Sequence, residues 1–306
     1  MQRIFIVGCP RSGTTLVQAM LARHPDVLTL PETAFFERLC GDLKWRWGDR
    51  DARQPRRRLR QQLGMVHKRA RLELQSLQRN LLNEDAALPW PLRTESCVRR
   101  FVDLLDARAM AEGRAAWVEK TPYHLLYIPE IERYIADAHF VHVIRPGEDV
   151  LASIADANLR YENNNAFGGG TLQWSRRWNR AAHIHCEYAG RAQHHFVFLD
   201  DLTRDMHHEW QRLCAFLHLD ASAKLGASCS QPIADLRHEP WKRDAVSGLP
   251  GKAKLKAEGL FGPQMREWLQ QHLMPYEDLR RNCMGSEAQA ESGMRGLGRL
   301  KDALPG

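Results

Sequence analysis

The chain has no Cys-x-x-Cys pair, no long apolar run, no internal repeat and no Pro/Ser-rich linker. Each absence excludes something. Seven cysteines (9, 40, 97, 186, 214, 229 and 283) are odd in number and scattered, which argues for reduced thiols rather than a disulfide framework. A membrane span needs about 18 consecutive apolar residues; the N-terminal run, Ile4 to Val7, ends after four and is also too short for a signal peptide. His208-Glu209 begins like a zinc-protease signature, but Arg212 stands where the second His belongs. His183 and His185, beside Cys186, point in different directions on a helix, so no metal is expected. With no linker to divide it, a 306-residue chain that is 43% hydrophobic reads as one domain. The expected bounds are 1–284 with a helical insertion at about 48–112, followed by a mobile tail at 285–306.

The +7 charge is concentrated. Between Arg50 and Arg71 there are nine basic residues against one acid, Asp51, so the rest of the chain carries about −1. A nucleic-acid binder would spread its charge over a whole face, and none is expected here. A local patch suits an acidic substrate or carrier, or is simply a solvated helix face.

What is present centres on Arg3 to Leu21. A buried strand (Ile4 to Val7) runs into Gly8, Pro10 and Gly13, and Thr14 opens an amphipathic helix. Strand, glycine turn and helix N-terminus make an anion cradle, because free N–H groups and the positive dipole end converge. Gly8, four residues, Gly13, Thr14, Thr15 matches the phosphate-loop pattern except that Thr14 replaces the Lys. That Lys serves the β- and γ-phosphates of a nucleoside triphosphate, so a donor with one phosphate at this end fits better. Arg11 supplies the positive charge instead.

The PRSGTT segment after an N-terminal strand resembles the phosphosulfate loop of sulfotransferases that use 3′-phosphoadenosine 5′-phosphosulfate (PAPS). The resemblance implies that Arg11, Ser12, Gly13, Thr14 and Thr15 hold the 5′-phosphosulfate. Strand Ala138 to Ile144, followed by Arg145-Pro146-Gly147 and a helix bearing Ser153, resembles the same family's 3′-phosphate site. Arg145 offers a bidentate fork and Ser153 a hydroxyl. Golgi members of the family carry a membrane anchor, so the lack of one here implies a cytoplasmic form.

Two further positions carry the chemistry. Val27 to Leu30 reads as a second strand, and Glu32 lies just past it, where catalytic groups of open α/β sheets collect. Tyrosylprotein sulfotransferases, which this start resembles, place a catalytic Glu at a similar distance, and an acceptor hydroxyl needs such a base. Ala115 to Glu119 reads as a third strand ending in Glu-Lys-Thr-Pro, where Lys120 resembles the lysine that faces the transferring sulfuryl group. Thr121 is expected to cap the next helix, and His124 is the second choice of base. Residues 50–112 read as a largely helical lid on the substrate side. Loop 160–170 could close over a substrate, and a fifth strand, His195 to Leu199, leads to Asp200 and Asp201 as helix caps. The Gly- and Lys/Arg-rich run 241–254, with Lys242 and Arg243, resembles the loop that closes over the nucleotide.

The expected fold is therefore a three-layer α/β/α sandwich with a central, mostly parallel sheet built on the phosphate loop. The resemblance implies sulfuryl transfer from PAPS to an acceptor hydroxyl, releasing adenosine 3′,5′-bisphosphate without a metal. Candidate acceptors are small molecules, saccharides, peptide Tyr and carrier-bound metabolites. A nucleotide kinase or NTPase on the same fold, and a non-enzymatic module for acidic polymers, are the rival readings.

Overall fold

The computed structural model describes residues 1–55, 64–66, 68–82, 93–161, 167–223, 225, 245–246 and 256–285. Five parallel strands form one sheet in the order β2-β3-β1-β4-β5. They are β1 (Gln2–Gly8), β2 (Val27–Thr29), β3 (Ala116–Lys120), β4 (Ala138–Ile144) and β5 (His194–Phe198). The phosphate-loop strand sits at the centre, with Ile4 paired to Val118 on one side and to His139 on the other. Because all strands are parallel, their C-terminal ends share one edge. The order also switches direction around β1, the place where open α/β sheets leave a crevice.

Alternation along each strand splits the core into two layers. Phe5, Val7, Trp117, Phe140, Phe196 and Phe198 face one side. Ile4, Ile6, Val118, Val141, Val143 and Val197 face the other, against α1 (Thr14–Leu21) and the helix Met206–Phe216. Most of the helices cover the first side. In chain order these are α2 (Phe35–Cys40), α3 (Leu43–Trp47), α4 (Lys68–Leu82), α5 (Thr94–Ala111), α6 (Ile128–Tyr134), α7 (Gly147–Arg160) and α8 (Gly170–Glu187). Then come α9 (Leu199–Arg204), α10 (Met206–Phe216), α11 (Lys256–Leu260) and α12 (Pro263–His272).

The expected three-layer α/β fold is present, and several local expectations need correction. Residues 94–111, expected within a lid, form a crossover helix packed on the sheet. Cys97, Val98, Phe101 and Leu105 are buried, and Trp117 Nε1 donates to Asp106 across 2.7 Å. Its apolar stripe can only be satisfied against the core. The aromatic run 34–47, helix-like by its sequence, breaks into α2 and α3, because Gly41 and Asp42 both take positive φ. Asp200 and Asp201 do not cap α9 with their side chains. They tie the chain end to the sheet instead: Arg280 donates to Asp200 (3.2 Å) and Asp201 (2.7 Å), and Tyr276 donates to Asp200.

Candidate active site

Four strand ends bring the candidate residues to one edge. At the end of β1, Ser12 N–H bonds the Cys9 carbonyl (3.2 Å) and Gly13, at φ 101°, is the N-cap of α1. A side chain is excluded at Gly8, where an added Cβ would lie 2.5 Å from the Val143 carbonyl oxygen of β4. Arg11 also takes positive φ, 73°, an unfavourable conformation for a residue with a side chain that surrounding structure must hold. Ser12, Thr14 and Thr15 are buried in the turn. Cys9 beside them is buried too, and burial pushes its thiol up to about 12, so it stays protonated.

The second and third ends carry the pair that matters most. Glu32, three residues past β2, accepts from the ammonium of Lys120, the last residue of β3. The Lys120 side chain is fully buried and Glu32 remains partly exposed at 28%. A buried ammonium is tolerated only with a partner of this kind, and the contact leaves the carboxylate facing the crevice. Sequence order separates these residues by 88 positions; adjacency of β2 and β3 in the sheet unites them.

The expected cap at Thr121 is absent. Its hydroxyl instead donates to Glu119 Oε1 (2.6 Å) and accepts from Ala34 N–H (3.1 Å). Glu119 Oε1 also accepts from Thr33 N–H (3.2 Å) and Thr33 Oγ1 (2.9 Å). Burial pushes the Glu119 carboxyl up, but His124 and the Thr121 and Thr33 hydroxyls outweigh it and leave the carboxyl below the usual glutamate range. His124 is fully buried: its Nδ1 lies 2.8 Å from Glu119 Oε2, and its Nε2 accepts from Phe36 N–H (3.3 Å). Both of its nitrogens are turned into the core, toward Glu119 and Phe36.

At the fourth end, Arg145 follows β4. One of its guanidinium nitrogens lies 3.5 Å from the Arg11 carbonyl oxygen and another 3.9 Å from Asp149. Burial pulls the Arg145 pKa down against the opposing pull of Asp149. A guanidinium this poorly solvated is suited to a negatively charged guest. Ser153, two turns into α7, accepts from Arg11 Nε at 3.1 Å. The two anion-binding sets expected from separate motifs therefore adjoin, with Arg11 bridging them. Phe167, at the far end of the loop 160–170, stacks under Arg11 at 5.8 Å. Ala257 N–H, on α11, reaches Asp149 at 3.5 Å, so the chain returns to this wall after residue 255. Lys242, Arg243 and most of the run 241–254 lie outside the described residues, as do 162–166 of the loop and 286–306 of the tail.

Glu119 was missed from the sequence. Its signal was an acid directly after the apolar run Ala-Trp-Val, still inside the strand. No group of three or more His, Cys, Asp or Glu among the described residues is arranged to hold a metal, and no described helix is long and apolar enough to cross a membrane.

A phosphate loop, two strand-end arginine and lysine sites and one facing carboxylate define a group-transfer enzyme that handles an anionic donor. The family model for the sulfotransferase family matches residues 3–223. The chain belongs to the sulfotransferase family, whose members move sulfuryl groups. A Caenorhabditis briggsae protein, provisionally named a protein-tyrosine sulfotransferase, is 25% identical over 226 residues, 73% of this chain and 68% of its own length. A Drosophila melanogaster protein-tyrosine sulfotransferase is 24% identical over 216 residues, 69% of this chain but 37% of its own length. Among solved structures, the sulfotransferase domain of the Synechococcus PCC 7002 olefin synthase aligns at TM-score 0.44 and 19% identity, covering 85% of this chain and 93% of that one.

Proposed function

We propose that this sulfotransferase takes its sulfuryl group from PAPS and passes it to an acceptor hydroxyl with Glu32 as base and Lys120 as electrostatic stabiliser. The observation that carries the reading is the Glu32–Lys120 contact at neighbouring strand ends beside the phosphate loop. The acceptor oxygen attacks sulfur as its proton passes to Glu32, and the bond from sulfur to the donor's bridging oxygen breaks. Negative charge then grows on the 5′-phosphate, where Lys120 and the N–H groups of the loop 8–15 meet it.

Arg11 and the loop residues Ser12, Gly13, Thr14 and Thr15 serve the 5′ end, and Arg145 with Ser153 serves the 3′-phosphate. Their adjacency through Arg11 supports one ligand bridging both sets. Thr14 in place of the loop Lys disfavours a nucleoside triphosphate. A phenolic hydroxyl is the first acceptor to try, on the strength of the relatives' names.

Incubation with labelled PAPS and a panel of peptide-tyrosine, saccharide and small phenolic acceptors tests the reading. Glu32→Gln should bind adenosine 3′,5′-bisphosphate as the parent does and lose turnover by about 10²-fold or more. Undiminished turnover would remove Glu32 from the role.

A further inference from the structure

Glu119 is the least economical residue in the core. A carboxylate with no solvent exposure is costly to bury unless it is densely hydrogen-bonded. An apolar residue of similar size would fill the same space. Its partners show what it holds. The backbone N–H groups of four consecutive residues end on this node or on groups bound to it: Thr33 on Glu119, Ala34 on the Thr121 hydroxyl, Phe35 on the Thr33 hydroxyl and Phe36 on His124 Nε2. The last two open α2, where N–H groups have no partners within the helix, and the first two lead into it. Ala34 takes φ 49° there, an uncommon conformation for a residue with a side chain. Thr33, Thr121 and His124 are each at most 2% exposed.

The covalent chain places this node between the two reacting groups. Thr33 directly follows Glu32, and Lys120 lies between Glu119 and Thr121. We propose that Glu119 is a positioning residue: it fastens the loop bearing Glu32 to the strand end bearing Lys120 and so sets the separation of base and ammonium. The inference rests on the catalytic reading of that pair. Glu119 itself touches neither substrate nor sulfur. Its Oε1 gathers three donors from both segments, and the contact of its Oε2 with His124 orients the ring that receives Phe36 N–H. A glutamine cannot reproduce this, because its amide nitrogen would face either the Thr33 donors or His124 Nδ1–H.

The test compares Glu119→Gln, Thr121→Val and Thr121→Ser with the parent enzyme. Two readouts need no turnover: the rate of reductive methylation of Lys120, followed by mass spectrometry, and amide exchange at residues 33–36. In Glu119→Gln and Thr121→Val both should rise, and kcat should fall by about 10- to 100-fold with the donor KM within about threefold, the behaviour of a displaced rather than a missing group. Thr121→Ser keeps the hydroxyl and should restore all of these. The proposal is overturned by a folded Glu119→Gln with parental Lys120 protection and exchange, whatever its kcat, or by Thr121→Ser failing as fully as Thr121→Val. If Glu119→Gln does not fold, the Thr121 pair decides. Absence of any PAPS-dependent transfer in the parent would sink the catalytic reading separately, since methylation and exchange would still report whether Glu119 holds the pair together.

Discussion

The fold should lose stability steeply between pH 6.5 and 5, and the cause is a chain of buried imidazoles behind the sheet. His142 on β4 meets His185 of α8 through their Nδ1 atoms (2.9 Å) and His194 of β5 through Nε2 (2.8 Å), and His194 reaches Glu132 at 3.1 Å. With Glu132 ionised, each link has one direction: His194 donates to Glu132, His142 to His194 and His185 to His142. Tyr188 stacks on His194, and Arg191 lies 3.7 Å from Glu132 at the surface end. Burial pushes His185, His194 and His195 each to about 3 and His142 well below its ordinary value.

The sign follows from linkage. In the unfolded chain these rings titrate at about 6.5, so unfolding takes up protons throughout this window and stability falls as pH falls. A ring held neutral contributes about 1.4 kcal/mol per pH unit once the unfolded ring is charged. From pH 6.5 to 5 that is between 1 and 2 kcal/mol, roughly, for each of His185, His194 and His195, or about 5 kcal/mol together. Against a typical total of about 5–15 kcal/mol, this is a large share. Burial raises the carboxyls of Glu37, Glu132 and Glu148, which offsets part of this loss, while Glu119, held low, adds its own loss only as pH falls through the ordinary glutamate range. Urea unfolding at half-unit steps from pH 7 to 5, with constant m-values, reads the slope directly. His185→Gln should lower the slope by about one ring whatever it does to absolute stability. A curve flat to within 1 kcal/mol, roughly, across the window would refute the reasoning, because buried neutral imidazoles must produce the slope.

Two other changes probe the site directly. Arg145→Ala should weaken adenosine 3′,5′-bisphosphate binding by about 10- to 100-fold in calorimetry, the loss of a charge-assisted fork, whereas parental affinity would place the 3′-phosphate elsewhere. Gly8→Ala should cost about 1–3 kcal/mol in thermal or urea melts, because the new Cβ must push against the Val143 carbonyl rather than a yielding side chain; an unchanged midpoint would contradict the tight approach of β1 to β4.

Much was legible in one dimension. The apolar runs at 4–7, 27–30, 115–119, 138–144 and 195–199 each became a strand within a residue or two of those bounds, since a doubly covered strand needs a short continuous apolar stretch. The Gly8 to Thr15 spacing was enough to mark a glycine turn into a helix, because φ above zero at Gly13 and a helix start are local requirements. Glu32 and Lys120 could each be picked out by position after a strand.

Their contact could not be read that way. It depends on β2 lying beside β3 and on all five strands pointing the same way, and strand order is set by how faces pack, not by any one segment. The same holds for Arg11 against Ser153, for the crossover role of residues 94–111, and for the turning of His124 and Thr121 inward to Glu119. A residue's type and neighbours in the chain determine what it can bond; only the packed sheet determines which of those bonds it makes, because the partners come from segments dozens of residues away.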